Sequence, residues 1–156
     1  MKQQKLEQLN IAGKDLVPIM KEQLEAGKTV RFNPKGISML PLIRQGRDSV
    51  TLEKITRPLK RHDIAFYQRD NGQFVLHRIV EVGDTITCIG DNQFVYERGL
   101  RHDQFFALVS EFSRDGKKHS VNYLPYRIYC HFWYVSRPLR FFALRVINKL
   151  RRIFKI

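Results

Sequence analysis

Asp70-Asn71-Gly72-Gln73-Phe74-Val75-Leu76-His77-Arg78-Ile79-Val80 decides the fold class. Asp-Asn-Gly between two apolar runs is a hairpin turn. Alternation beyond it sets Val75, His77 and Ile79 on one face of a strand, with apolar neighbours limiting the hydration of the imidazole. Working outward, short strands are predicted at Thr29 to Phe32, Val50 and Leu52, Ile64 and Phe66, Phe74 to Val80, Thr85 to Ile89 and Phe105 to Phe112. Arg114-Asp115-Gly116 turns the chain into a further strand at Ser120 to Tyr123. The expected fold is mainly β (α+β), antiparallel and partly barrel-like.

Helical periodicity is confined to the two ends. A helix is expected over about 15–26, with Asp15 as cap, Pro18 in the first turn, Leu16, Ile19, Met20 and Leu24 on its apolar side, and Gly27 as its stop. It would cover an edge or face of the sheet. From Tyr126 the pattern is helical again, and Pro138 is expected to split it. In the second piece Leu139, Phe142, Ala143, Val146, Ile147, Leu150 and Ile153 share one side, while Arg140, Arg145, Lys149, Arg151, Arg152 and Lys155 lie largely elsewhere. The organisation read from this is a β-rich unit over 1–124 and a basic, aromatic, amphipathic extension over 125–156.

Composition narrows the class. With 156 residues, 43% of them hydrophobic, the chain suits one domain with a real core. The 28 Lys and Arg outnumber 15 acids for a net charge of +13, and from Pro125 onward eight Lys and Arg stand with no Asp or Glu. Such a helix suits an anionic membrane surface, contacted through Tyr126 to Ile156; the competing reading packs it on the sheet or on a partner protein. No stretch reaches the ~18 to 20 apolar residues of a membrane span, and no leader is evident. The expected location is therefore cytoplasmic, peripheral to the inner membrane face. Cys88 and Cys130 sit in apolar surroundings and read as buried free thiols. His62-Asp63 and His102-Asp103 are adjacent pairs whose side chains would point to opposite faces, so neither a metal nor a cofactor is expected.

Three residues suggest nucleophilic chemistry. Ser38 lies in the apolar turn Gly36-Ile37-Ser38-Met39-Leu40-Pro41, His77 follows on its strand, and Asp91 lies in Gly90-Asp91-Asn92. A serine hydroxyl needs a neighbouring base to attack an amide, and that base is best oriented by a carboxylate. A lysine base is the alternative, but no Lys occurs from Arg61 to Gly116, and Lys117 and Lys118 sit in a polar turn where they stay charged. His77 is the better base. Spacing leaves both Asp91 and Glu97 open as the orienting acid. Backbone N–H groups at or beside Ser38 are the candidate oxyanion donors.

These blocks resemble the signal peptidase family of serine endopeptidases, in its Ser-His branch. Gly36-Ile37-Ser38-Met39-Leu40-Pro41 with Gly46-Arg47-Asp48-Ser49-Val50 is similar to the nucleophile box, although Arg47 interrupts its Gly-Asp pair. Arg61-His62-Asp63-Ile64-Ala65-Phe66 is similar to a strand that usually begins Gly-Asp, with His62 in the glycine position. His77-Arg78-Ile79-Val80 resembles the base motif, and Gly90-Asp91-Asn92 through Glu97 the acidic box. The likeness spans roughly Val30 to Phe112. It implies a signal-peptidase-like domain that cleaves leader-like peptide segments, and it favours Asp91 as the functional acid. It also implies a substrate strand lying beside Arg31 to Ile37, with Arg31, Phe32, Gly36, Ile37, Met39 and Pro41 around it. The family's usual membrane anchor has no counterpart in Asp15 to Ala26.

Two other functions compete. A self-processing repressor module would use Ala12-Gly13 or Ala26-Gly27 as its cleavage point, but about thirty-five residues before Ser38 leave no room for a helix-turn-helix domain. A nonenzymatic basic protein would bind membrane or nucleic acid; no DNA- or RNA-reading motif is present, so nucleic acid is not an expected partner.

Overall fold

A computed structural model of the chain describes residues 13–143, with side chains from residue 16. The expected cleavage point at Ala12 and the basic and apolar positions from Leu144 to Ile156 lie outside the described residues. The first helix, α1 (Gly13–Glu25), runs with Pro18 inside it and ends at Gly27, whose φ of +73° and N–H bond to the Leu24 carbonyl close the last turn. Its inward side is Val17, Met20 and Leu24; Ile19, expected inward, is half exposed.

Among the described residues eight strands follow: β1 (Val30–Phe32), β2 (Ser49–Lys54), β3 (Ile64–Gln68), β4 (Phe74–Val82), β5 (Ile86–Ile89), β6 (Glu97–Leu100), β7 (Phe105–Arg114) and β8 (Lys117–Ser120). They form one antiparallel sheet in the order β1-β2-β7-β3-β4-β5-β6, with β8 also paired to β7. The fold is thus mainly antiparallel β with short helices. The β3–β4 hairpin forms where Asn71-Gly72 predicts it, with Gly72 at φ +79°. At the β7–β8 turn both Asp115 and Gly116 take positive φ, the pair of conformations a two-residue type I′ turn requires. That turn sends the chain straight back, so the last strand is Lys117–Ser120 rather than Ser120 to Tyr123.

Both faces of the central strands are covered. Leu76 of β4 and Phe66 of β3 join α1, β2 and the Met39–Ile43 segment in one core cluster, while Val75, Ile79, Ala65 and Tyr67 join β5 and β7 in another. A helix, α2 (Leu124–Val135), packs on the first cluster through Tyr126 and Cys130. The 125–156 region therefore begins as a docked part of the main body. Ser136 interrupts the helix, and residues 137–143 are helical again, so Pro138 falls just after the interruption. Cys88 and Cys130 are both buried free thiols.

Candidate active site

Ser38 sits on a turn pinned at both ends. Upstream, Gly36 takes φ +95°, a conformation that suits glycine, and its N–H donates to Gln45 Oε1 at 2.7 Å. Met39, Leu42 and Ile43 anchor the following residues in the core. Downstream, the fully buried Asp48 accepts from the Arg44 backbone N–H at 2.9 Å and from its guanidinium at 2.8 and 2.7 Å. Those bonds hold the Asp48 carboxyl below its ordinary range. Arg47, the residue that interrupts the Gly-Asp pair, points outward toward Asp115. The Leu40–Pro41 peptide bond is cis.

The Gly90-Asp91-Asn92 loop packs directly against this turn. Asn92 donates its backbone N–H to the Ser38 carbonyl at 2.8 Å and its side-chain amide to the Ile37 carbonyl at 3.2 Å. A Cβ on Gly90 would stand 2.6 Å from the Ser38 carbonyl oxygen and 3.0 Å from Ser38 Cβ. Glycine is required there because backbone meets backbone.

Ser38 and His77 line the same cleft, about 470 Å³ in volume, together with Ile37, Arg69, Phe74 and Asn92. His77 is 4% exposed. Its Nδ1 is 3.3 Å from the Tyr67 hydroxyl and 3.7 Å from Glu97 Oε2. The Tyr67 hydroxyl donates to Glu97 Oε2 at 2.8 Å, and Arg69 grips both oxygens of Glu97 at 2.6 Å. A phenol has one proton, and here it is donated in the hydrogen bond to Glu97; toward His77 the Tyr67 oxygen can only accept. Nδ1 therefore carries the imidazole proton and Nε2, at the opposite edge of the ring, carries the lone pair. That is the tautomer a general base needs.

The electrostatics agree with a neutral ring. Burial pushes the His77 pKa down to about 4, with Arg69 adding to the fall and Glu97 partly opposing it. Burial acts upward on Glu97, but the hydrogen bonds from Arg69 and Tyr67 outweigh it and leave the carboxyl below its ordinary range. Burial also pushes the Tyr67 hydroxyl far up, so it keeps its proton.

Asp91 does not reach His77. Both of its oxygens pair with Arg78 at 2.7 Å, and both residues are almost wholly buried. The reason is the pleat: His77 and Arg78 are neighbours on β4 and point to opposite faces, so an acid bound to Arg78 lies across the sheet from the imidazole. Arg78 also donates to the His62 carbonyl, the Tyr126 hydroxyl and Cys130 Sγ. Burial alone would lower its pKa; the Asp91 charge outweighs that and keeps it fully charged. The acid expected at Asp91 is thus a structural partner of Arg78, and Glu97 is the carboxylate at the imidazole.

The residues expected around a substrate are divided. Gly36, Ile37 and Met39 line the cleft with Ser38. Arg31 and Phe32 lie on β1, at one end of the sheet; Arg31 Nε donates to Ser49 Oγ at 2.8 Å and Phe32 packs on Phe66. Pro41 stands outside the cleft, its carbonyl accepting from Arg114. Tyr67 and Arg69 were missed. Tyr67 was within reach of the sequence: the hairpin pairs Ala65 with His77, so Tyr67 is the diagonal neighbour of His77 on the same face. His62, in the glycine position of its block, keeps a glycine-like φ of +78°. Among the described residues no group of three or more His, Cys, Asp or Glu is placed to hold a metal ion. No family model, curated protein or solved structure matches the chain.

Proposed function

We propose that the chain is a signal-peptidase-like serine endopeptidase that cuts leader-like segments, with Ser38 as nucleophile and His77 as base. The observation that carries this reading is the shared cleft of Ser38 and His77, with Tyr67 and Glu97 fixing the lone pair of His77 on Nε2. Ser38 Oγ attacks the scissile carbonyl carbon as its proton passes to Nε2; the C–N bond then breaks and the leaving amine takes that proton. Water attacks the resulting ester, giving a proton to Nε2, and the acid product leaves as Ser38 recovers its own. Tyr67 and Glu97 hold the Nδ1 proton throughout and stabilise the transient imidazolium; Arg69 keeps Glu97 in place.

The substrate adds as an extended strand beside β1, which ends the sheet and leads straight into the Ser38 turn. On this reading the sheet is the partly barrel-like domain of that family. Arg47 and His62 depart from its boxes, yet both are absorbed by local turns away from the cleft.

Intact-mass measurement after exposure to a fluorophosphonate, with peptide-library cleavage in parallel, tests the proposal. Wild type should gain one adduct, mapped to Ser38, and cut peptides. Ser38→Ala should do neither, and His77→Ala should lose both by at least a hundredfold. Tyr67→Phe, which removes the proton acceptor at Nδ1 while keeping the ring, should lower kcat more than it changes KM. A folded wild type that neither reacts at Ser38 nor cuts any peptide would overturn the assignment.

A further inference from the structure

The helical segment from Leu124 is apolar on two sides, and among the described residues one side packs on the domain while the other is exposed. Tyr126, Cys130 and Trp133 face the domain. On the opposite side Leu124, Ile128, Phe132, Val135, Leu139 and Phe142 are each between 59% and 71% exposed. At about 100° per residue Leu124, Ile128, Phe132 and Val135 fall within roughly 80° of arc and form one stripe along α2, and Leu139 and Phe142 carry exposed apolar surface on into 137–143. Contiguous exposed apolar surface of this kind marks interaction sites, unlike apolar side chains scattered singly.

Charge selects the occupant. Arg127, at the margin of the stripe, is exposed, and from Pro125 onward the sequence has eight Lys and Arg and no acid. A second copy laid against the same face would bring up another segment without acids, leaving the exposed Arg127 no carboxylate from it to pair with. An anionic lipid surface offers apolar depth for the stripe and negative charge for its margins. No described helix is long and apolar enough to cross a membrane, which leaves a helix lying in the interface plane. We propose that the outer face of α2, continued through 137–143, docks on anionic membranes as an interfacial helix. The side facing inward carries Trp133, bonded to the Asp91 carbonyl, so docking would bring the Ser38 cleft close to the bilayer. The membrane contact itself does not require Ser38 to be catalytic.

Co-sedimentation of the full chain with vesicles tests this, using phosphatidylcholine alone and phosphatidylcholine mixed with phosphatidylserine. The wild type should partition onto the anionic vesicles, more weakly onto the neutral ones, and less as salt is raised. I128E/F132E should cut partitioning at least tenfold, whereas Ile19→Glu, on the exposed side of α1, should leave it unchanged; circular dichroism and thermal melting confirm that each variant folds. Three results would overturn the proposal: no binding to anionic vesicles, equal binding by wild type and I128E/F132E, or a concentration-dependent dimer in sedimentation velocity that the same substitutions abolish. The last would assign the face to a second copy.

Discussion

Acidification should expose His77 as a buried neutral base. In the unfolded chain its imidazole ionises near 6.5, and in the fold at about 4, because burial disfavours the cation. Between those values the unfolded chain binds a proton that the folded chain does not, so stability falls as pH drops. The gap of about 2.5 pH units, at about 1.36 kcal/mol per unit, corresponds to about 3 kcal/mol. The loss begins below pH 6.5, is nearly complete at pH 4, and is absent from pH 7 upward. Other groups titrate in this range, so the wild type must be compared with His77→Gln, which keeps an uncharged polar side chain. Urea unfolding of both proteins at steps from pH 7.5 to pH 4 gives the difference directly. The wild type should lose about 3 kcal/mol relative to the variant across that span. A constant difference would mean that His77 titrates alike in both states, and the burial argument, with the neutral base it supplies, would fail. In the proposed enzyme the same ionisation sets the acid limb of kcat/KM, which should fall only as pH approaches 4.

Asp91→Ala leaves the Arg78 guanidinium buried without its counter-charge and should cost about 3 to 5 kcal/mol in urea unfolding; a cost under 1 kcal/mol would deny the pair its structural role. Glu97→Gln should leave stability closer to wild type yet push the His77 pKa further down, since this carboxylate opposes burial more than Asp91 does; NMR titration of the imidazole reads this, and an upward move would refute the placement. Gly90→Ala drives a methyl into the Ser38 carbonyl and should destabilise by about 1 to 3 kcal/mol while slowing fluorophosphonate labelling of Ser38 at least tenfold. At position 62, His62→Gly should be more stable than His62→Ala by about 1 kcal/mol, because alanine keeps the left-handed strain that glycine relieves; equal melting temperatures would sink that account.

What the sequence makes legible follows from the range of the interactions. The β3–β4 and β7–β8 turns are written in adjacent residues, Asn71-Gly72 and Asp115-Gly116, and alternation places His77 on its face without any knowledge of the fold. The acid at His77 is a different kind of question. Asp91 and Glu97 are six residues apart, and which one meets the imidazole depends on how the chain returns after β5. It returns through β6, Glu97–Leu100, a strand with no apolar alternation and a Gly99 at φ +74°, and the β5–β6 register is irregular beside it. Nothing local announces such a strand. The partner of Asp91, in turn, is set by the face of β4 on which α2 docks, a contact some fifty residues away in the chain. His62 shows the converse: a residue outside its block's usual type keeps the block's backbone, because the turn geometry is fixed by its own N–H donating to the Ile79 carbonyl and by the Asp63 carbonyl accepting from the Ile79 N–H.

The helix α2 and the Ser38 turn are two ends of one packed chain of contacts. Trp133 Nε1 holds the Asp91 carbonyl at 3.0 Å, Arg137 reaches the Gly90 carbonyl at 3.4 Å, and Gly90 lies against Ser38 with no room for a Cβ. Beneath them Arg78 ties the Asp91 carboxylate to Tyr126 and Cys130 of the same helix. A displacement of α2 would therefore bear on the loop that packs against the Ser38 turn, whereas His77 is held from the other face of β4 by Tyr67 and Glu97. Ser38 has supports of its own in Gln45 and the buried Met39 and Ile43 and shares the Gly90 loop with α2, whereas His77 rests on the sheet; in the proposed enzyme their alignment is sensitive to how α2 sits. A surface that engages the outer stripe of α2 bears on that alignment, which places the proposed membrane contact and the proposed chemistry in one mechanical unit.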